Sequence, residues 1–222
     1  MITTQTAAHD YRRGMYAIIT GSGSALIDPL RGGASAAVIV DGTVLQFDLG
    51  RMAMENLTRA GVNPVDIDAL FFTHLHFDHI ASFGYFMISS WIASRQATLD
   101  VCGPPGTHKM AQSLIFDGHF TDVRFVRELV AAWPPDVPGR PRADAPFAAR
   151  DAAPGVVLER PDLKVTAVTV PHFQDHGVES LGYRVDCAHG SVVITGDCRP
   201  SPAMTELRSE EHTSELQSRG LI

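Results

Sequence analysis

Apolar residues along this chain fall into short runs and alternating stretches, separated by polar residues that favour turns. Residues 15–19 (MYAII) read as a short strand, followed by the Gly/Ser stretch 20–25 and the turn-rich DPLRGG. Residues 35–40 (SAAVIV) and 43–48 (TVLQFD) flank Asp41 and Gly42, a pair suited to the positive φ angles of a tight hairpin turn. Helix formers fill 52–60, with Gly61 as a C-terminal stop and Pro64 beyond it. The unbroken apolar run 69–73 (ALFFT) predicts a strand buried on both faces.

Asp78 can cap a helix over 79–94, in which Ile80, Phe83, Phe86, Met87 and Ile92 keep helical spacing. A strand at 98–102 and a helix at 107–116 follow. Residues 117–155, rich in Pro, Ala, Asp and Arg, read as an irregular insertion or lid. Strands return at 156–160, 163–170, 181–187 and 191–196. The alternation predicts a mixed α/β architecture in which sheets bury one face on each other and the other under helices.

With 222 residues, 45% hydrophobic and 19% charged, the chain has the length of one domain and the composition of a globular protein. A net charge of −7 argues against a broad basic face that coats nucleic acid. Cys102, Cys187 and Cys198 match neither a disulfide framework nor a CxxC zinc site, which fits reduced thiols in the cytoplasm. No apolar run approaches a membrane span, and no basic and apolar leader opens the chain, so a soluble, unprocessed protein is expected. From Arg208 the text turns polar and aperiodic. RSEEHTSELQS resembles the translation of a sequencing-library adapter, which divides the chain into a domain over 1–207 and a non-native tail over 208–222.

The strongest chemical signal is HLHFDH, which sets His74, His76, Asp78 and His79 directly after the buried strand. His74 and His76, two apart, project to one side of an extended segment, while Asp78 and His79 begin the next helix and can face a neighbouring point. That geometry suits two adjacent metals. Imidazole nitrogen with carboxylate oxygen favours zinc, with iron or manganese as substitutes. No packing rule asks for three histidines and an aspartate at the mouth of a buried strand.

THLHFDH resembles the HxHxDH signature of the metallo-β-lactamase superfamily of hydrolases, and the resemblance covers residues 15–207. It implies an αββα sandwich, truncated here at its C-terminal end, with two zinc ions held on loops at one edge. It further implies that Asp48 supports the metal ligands from behind and that Asp197, at the end of VVITGD, is the carboxylate shared by both metals. Cys198 beside it reads as a small buried thiol. For the third histidine the resemblance leaves His172 and His176 open. His172 is favoured because it follows the strand KVTAVTV directly, with His176 as a pocket group. A last family histidine, several tens of residues beyond Asp197, falls outside this chain. His9, His108, His119 and His189 have no partner at ligand spacing, and His212 lies in the tail.

The resemblance implies hydrolysis by a water activated between two metals, with Asp78 orienting that water as well as binding metal. GSGSALIDPLRGGASAAVIV, VCGPPGT and SLGYR resemble the tRNase Z and arylsulfatase-like branch, which implies a phosphodiester or sulfate ester substrate. A tRNA role calls for a Gly-rich basic arm, and 117–155 is rich in Pro and Ala instead, so a small or medium-sized ester is the expectation over tRNA. Two alternatives stand: a lactone or thioester hydrolase, since lactonases of the superfamily share the Phe77 position, and a non-catalytic zinc-binding fragment. Relatives of this kind often form homodimers.

Overall fold

The computed structural model describes residues 10–209. A six-stranded sheet runs in the order β1 (Met15–Gly21), β2 (Ser35–Val40), β3 (Thr43–Phe47), β4 (Ile67–Phe71), β5 (Leu99–Gly103) and β6 (Phe147–Asp151). The first three strands pair antiparallel and the remainder parallel. A four-stranded antiparallel sheet follows: β7 (Gly155–Arg160), β8 (Leu163–Thr169), β9 (Leu181–Cys187) and β10 (Gly190–Ile194).

The period-two pattern decides what each sheet face meets. Val38, Val40, Leu45, Phe47, Ala69 and Phe71 point at Val165, Ala167, Tyr183 and Val185 of the second sheet. Their neighbours Ala37, Ile39, Leu70 and Val101 face the helices. That layer comprises α1 (Ala53–Arg59), α2 (Phe77–Ile80), α3 (Phe83–Ile92), α4 (Thr107–Gln112) and α5 (Phe120–Ala132). On the far side α6 (Pro202–Leu207) packs Met204 and Leu207 against Val170. The layers are therefore helix, sheet, sheet, helix, as the sequence pattern and the resemblance implied. No helix among the described residues is long and apolar enough to cross a membrane.

The hairpin turn forms as predicted, with Asp41 at φ 47° and Gly42 at φ 90°. Elsewhere the elements shift for identifiable reasons. The buried strand ends at Phe71 because the Thr73 N–H leaves the ladder for the Asp48 side chain. The helix expected over 79–94 is two pieces without an Asp78 cap. The His79 carbonyl accepts from Leu49 N at 2.7 Å and Ser82 N donates to Leu49 O at 2.8 Å, which breaks the helical ladder and bolts α2 to the end of β3. The last strand stops at Ile194, ahead of Gly196 at φ 57°.

Residues 117–155 are irregular only in part, chiefly over 133–146. They supply α5, whose Val123, Val126 and Val130 form a narrow buried stripe, and the edge strand β6. Residues 113–118 form a turn of π-helix leading into α5. The sequence pattern also missed α6, although Ser201 caps it by accepting from Met204 N and Pro202 opens it. Of the tail expected over 208–222, residues 208 and 209 follow α6 as a turn, and residues 210–222, with His212, lie outside the described residues, as does His9.

Phe47, Phe71 and Tyr183 form a ring cluster between the sheets, with centroids 5.1–5.6 Å apart. The buried Tyr183 hydroxyl donates to Phe72 O at 2.7 Å, tying the second sheet to the chain just before the histidine cluster. Tyr183→Phe keeps the ring and strands that carbonyl. It is expected to cost about 1–2 kcal/mol of stability, read as a lowered urea midpoint with an unchanged slope.

Candidate metal centre

The site forms where β3, β4, β8 and β10 end. Asp48 follows β3 in the left-handed region at φ 55°, a conformation aspartate tolerates better than most residues. Its backbone N–H donates to Phe71 O at 2.8 Å, so the carboxylate is carried over the end of β4. There Oδ1 accepts from Thr73 N, and Oδ2 accepts from Thr73 Oγ1 and His79 Nδ1, each at 2.8 Å. Asp48, Thr73, His74 and His79 are all buried.

His74 and His76 do project to one side. His74 Nε2 lies 2.9 Å from His76 Nδ1, and His172 Nε2 lies 3.4 Å from that same nitrogen. The His79 ring lies 4.0 Å from that of His74, and its Nε2 stands 3.8 Å from both Asp78 Oδ2 and Asp197 Oδ2. Two overlapping groups result, His74 with His76 and His172, and His74 with His79 and Asp197. Within each, one donor atom per residue lies within 4.8 Å of the others.

These spacings fit a metal. Nitrogens bound to one tetrahedral zinc at about 2.0–2.1 Å stand roughly 3.3 Å apart, close to the 2.9 and 3.4 Å that separate His76 Nδ1 from the ring nitrogens of His74 and His172. Neutral imidazoles and carboxylates are also the donors that zinc, iron and manganese accept.

His172 joins the cluster, its ring 4.8 Å from that of His74. His176 does not: it sits exposed on a one-turn 3₁₀ helix, its ring 6.1 Å from Phe173. Cys198 packs with Val168, Val193 and the buried α6 residues, and burial pushes its thiol pKa up. His108 lies near Ala149 O, His119 near Asp122 and His189 near Asp41, each away from the cluster.

Three residues that the sequence reading passed over help shape the site. Thr73 joins Asp48 to His74. Gly196 lets the β10 end approach, since a Cβ there would meet Thr73 Cβ at 2.6 Å and Oγ1 at 2.7 Å. Phe173 lays its ring 4.4 Å from His172 and, like Phe77, is exposed at the rim. A hydroxyl directly before the first histidine and a glycine directly before Asp197 were the available signals.

Without metal the cluster is electrostatically divided. Burial, together with the positive charge of His79, lowers the His74 pKa to about 3. Burial also works against charge on His79, but Asp197 and Asp48 outweigh it and raise that pKa to about 10. At pH 7 His74 is therefore neutral and His79 carries a proton that a metal must displace. Metal binding at His79 should release about one proton and strengthen about tenfold per pH unit between pH 6.5 and 8, while His74 contributes no release. Zinc titration calorimetry in buffers of different ionisation enthalpy measures this directly.

The profile of the metallo-beta-lactamase superfamily matches residues 15–219. Among curated proteins, the ribonuclease Z of Mycobacterium marinum is 30% identical over 193 residues, covering 85% of this chain and 65% of the relative. That of Mycobacterium avium is 31% identical with the same coverage. The chain thus spans about 65% of the length of the curated relatives it matches. Among solved structures, human tRNase Z, short form, superposes with a TM-score of 0.67 at 17% identity, covering 86% of this chain and 73% of that one. The metallo-beta-lactamase fold protein YhfI of Bacillus subtilis gives 0.60 at 17% identity, with 86% and 65% covered. At these identities the structural likeness speaks for the fold.

Proposed function

The chain belongs to the metallo-beta-lactamase superfamily, and from that premise we propose that it is the metal-binding core of a dinuclear zinc hydrolase acting on phosphodiesters. The observation that carries this reading is the convergence of two donor groups that share His74, drawn from strand ends of both sheets. His74, His76 and His172 would hold one ion, and Asp78 and His79 the other, with Asp197 facing both. Two such ions would draw the pKa of a water towards neutrality and offset negative charge on a phosphoryl group.

The chain's own residues set the geometry. Asp48 holds the His79 ring so that Nε2 faces Asp78 and Asp197. Asp78, mostly buried beside it, has a second carboxylate oxygen with which to orient a water. Phe77 and Phe173 leave an aromatic rim against which a planar group can lie.

The ribonuclease Z relatives support a phosphodiester over a sulfate ester, lactone or thioester, and make RNA a substrate to test. The net charge of −7, together with a 117–155 segment folded into α5 and β6 rather than extended as a basic arm, favours a short phosphodiester over a folded tRNA. His74→Ala and His76→Ala should each lose zinc by elemental analysis, whereas His108→Ala and His176→Ala should keep the content of the parent. Equal zinc in all four variants would sink the assignment. Zinc-loaded protein should hydrolyse bis(p-nitrophenyl) phosphate at least about tenfold faster than p-nitrophenyl sulfate or a lactone. The reverse order would move the function to another branch of the superfamily, and faster turnover of a 3′-extended tRNA would restore the RNA reading.

A further inference from the structure

Resting on the metal-centre reading above, we propose that Thr73 is a positioning residue for that centre: its hydroxyl relays Asp48 to His74 and fixes the His74 ring as the Nδ1–H tautomer. Thr73 Oγ1 lies 2.8 Å from Asp48 Oδ2 and 3.0 Å from His74 Nδ1, and the hydroxyl has one proton. A carboxylate can only accept, so that proton points at Asp48. The lone pairs of Oγ1 then face His74 Nδ1, which must donate. Nε2 is left bare, and Nε2 is the atom aimed at His76 Nδ1.

Thr73 has little freedom to do otherwise. Its N–H is held by Asp48 Oδ1 at 2.8 Å, and its carbonyl accepts from Leu181 N at 2.8 Å. Gly196 closes over its side chain, where a Cβ would stand 2.6 Å from Thr73 Cβ. The residue is 1% exposed. Asp48 therefore sets two rings at once: His79 by a direct bond to Nδ1, and His74 through Thr73. Each donor group receives one ring whose metal-facing nitrogen is decided by the same carboxylate.

The test is imidazole ¹⁵N–¹H NMR on the metal-free full chain, with zinc affinity by chelator competition alongside. In the parent, His74 should be the neutral Nδ1–H tautomer, and His79 should carry hydrogen on Nδ1, bonded to Asp48, as part of its imidazolium. Thr73→Val preserves shape and removes the hydroxyl. It should release His74 to a tautomer mixture, leave His79 as it was, and weaken zinc binding about 10–100-fold. Thr73→Ser should restore the parent tautomer and bring affinity back to within about threefold of the parent. An Nε2–H tautomer of His74 in the parent overturns the proposal whether or not either variant folds. So does Thr73→Val with the parent tautomer and unchanged affinity. If the parent holds the Nδ1–H tautomer yet takes up no zinc, the metal reading fails and the relay stands.

Discussion

The buried carboxylate of Asp48 is the constraint on which the rest depends. It is carried on a left-handed residue at the end of β3 and accepts from the Thr73 backbone, the Thr73 hydroxyl and His79. Those donors come from the end of β4 and from α2, so one side chain joins three segments that the sequence separates by 25 to 31 residues. A carboxylate removed from water needs such compensation, because its desolvation is costly unless hydrogen bonds replace the lost hydration. The same bonds that make its burial tolerable also orient the histidines, which couples folding of this corner to the chemistry it presents.

The two sides of the centre are built differently. His74 and His79 are rigidly enclosed, backed by β4 and by the bonds that fasten α2 to Leu49. Asp197 is more than half exposed and His172 partly so, and they arrive on the loops after β10 and β8. Those loops are registered against the first sheet by backbone bonds, Leu181 N to Thr73 O, and against each other by Arg199 N to Pro171 O, with Gly196 packed over Thr73. The enclosed half thus has a geometry largely independent of a ligand, whereas the open half depends on how the second sheet sits on the first, a relation fixed by the Phe47, Phe71 and Tyr183 rings.

What was legible in the sequence follows from this construction. The 35–48 hairpin, the buried β4 and the cluster after it were readable because each is specified locally: by Asp-Gly turn chemistry, by an unbroken apolar run, and by four donors within six residues. The layer order followed from alternation. The break between α2 and α3 was not readable, since its cause is the His79 carbonyl pairing with Leu49, a contact 30 residues away in sequence. Helix α5 escaped because only Val123, Val126 and Val130 mark its buried face, amid charged residues and near a Pro-rich stretch that dominates the composition. The role of Thr73 lay in three dimensions, as a threonine closing an apolar run carries no sign that its hydroxyl meets a carboxylate just beyond the end of another strand.

The choice between His172 and His176 shows where pattern ends and geometry begins. Both lie in one polar loop after β8, four residues apart, and either could be matched by spacing. The chain leaves β8 through Val170, whose N–H pairs with Ser180 O, and Pro171, whose carbonyl holds Arg199 N. That anchoring fixes the first residue of the loop, His172, against His76. The loop then turns outward through the one-turn helix that carries His176. Nearness to the anchored strand end, rather than residue type, brings one imidazole to the cluster and leaves the other at the surface.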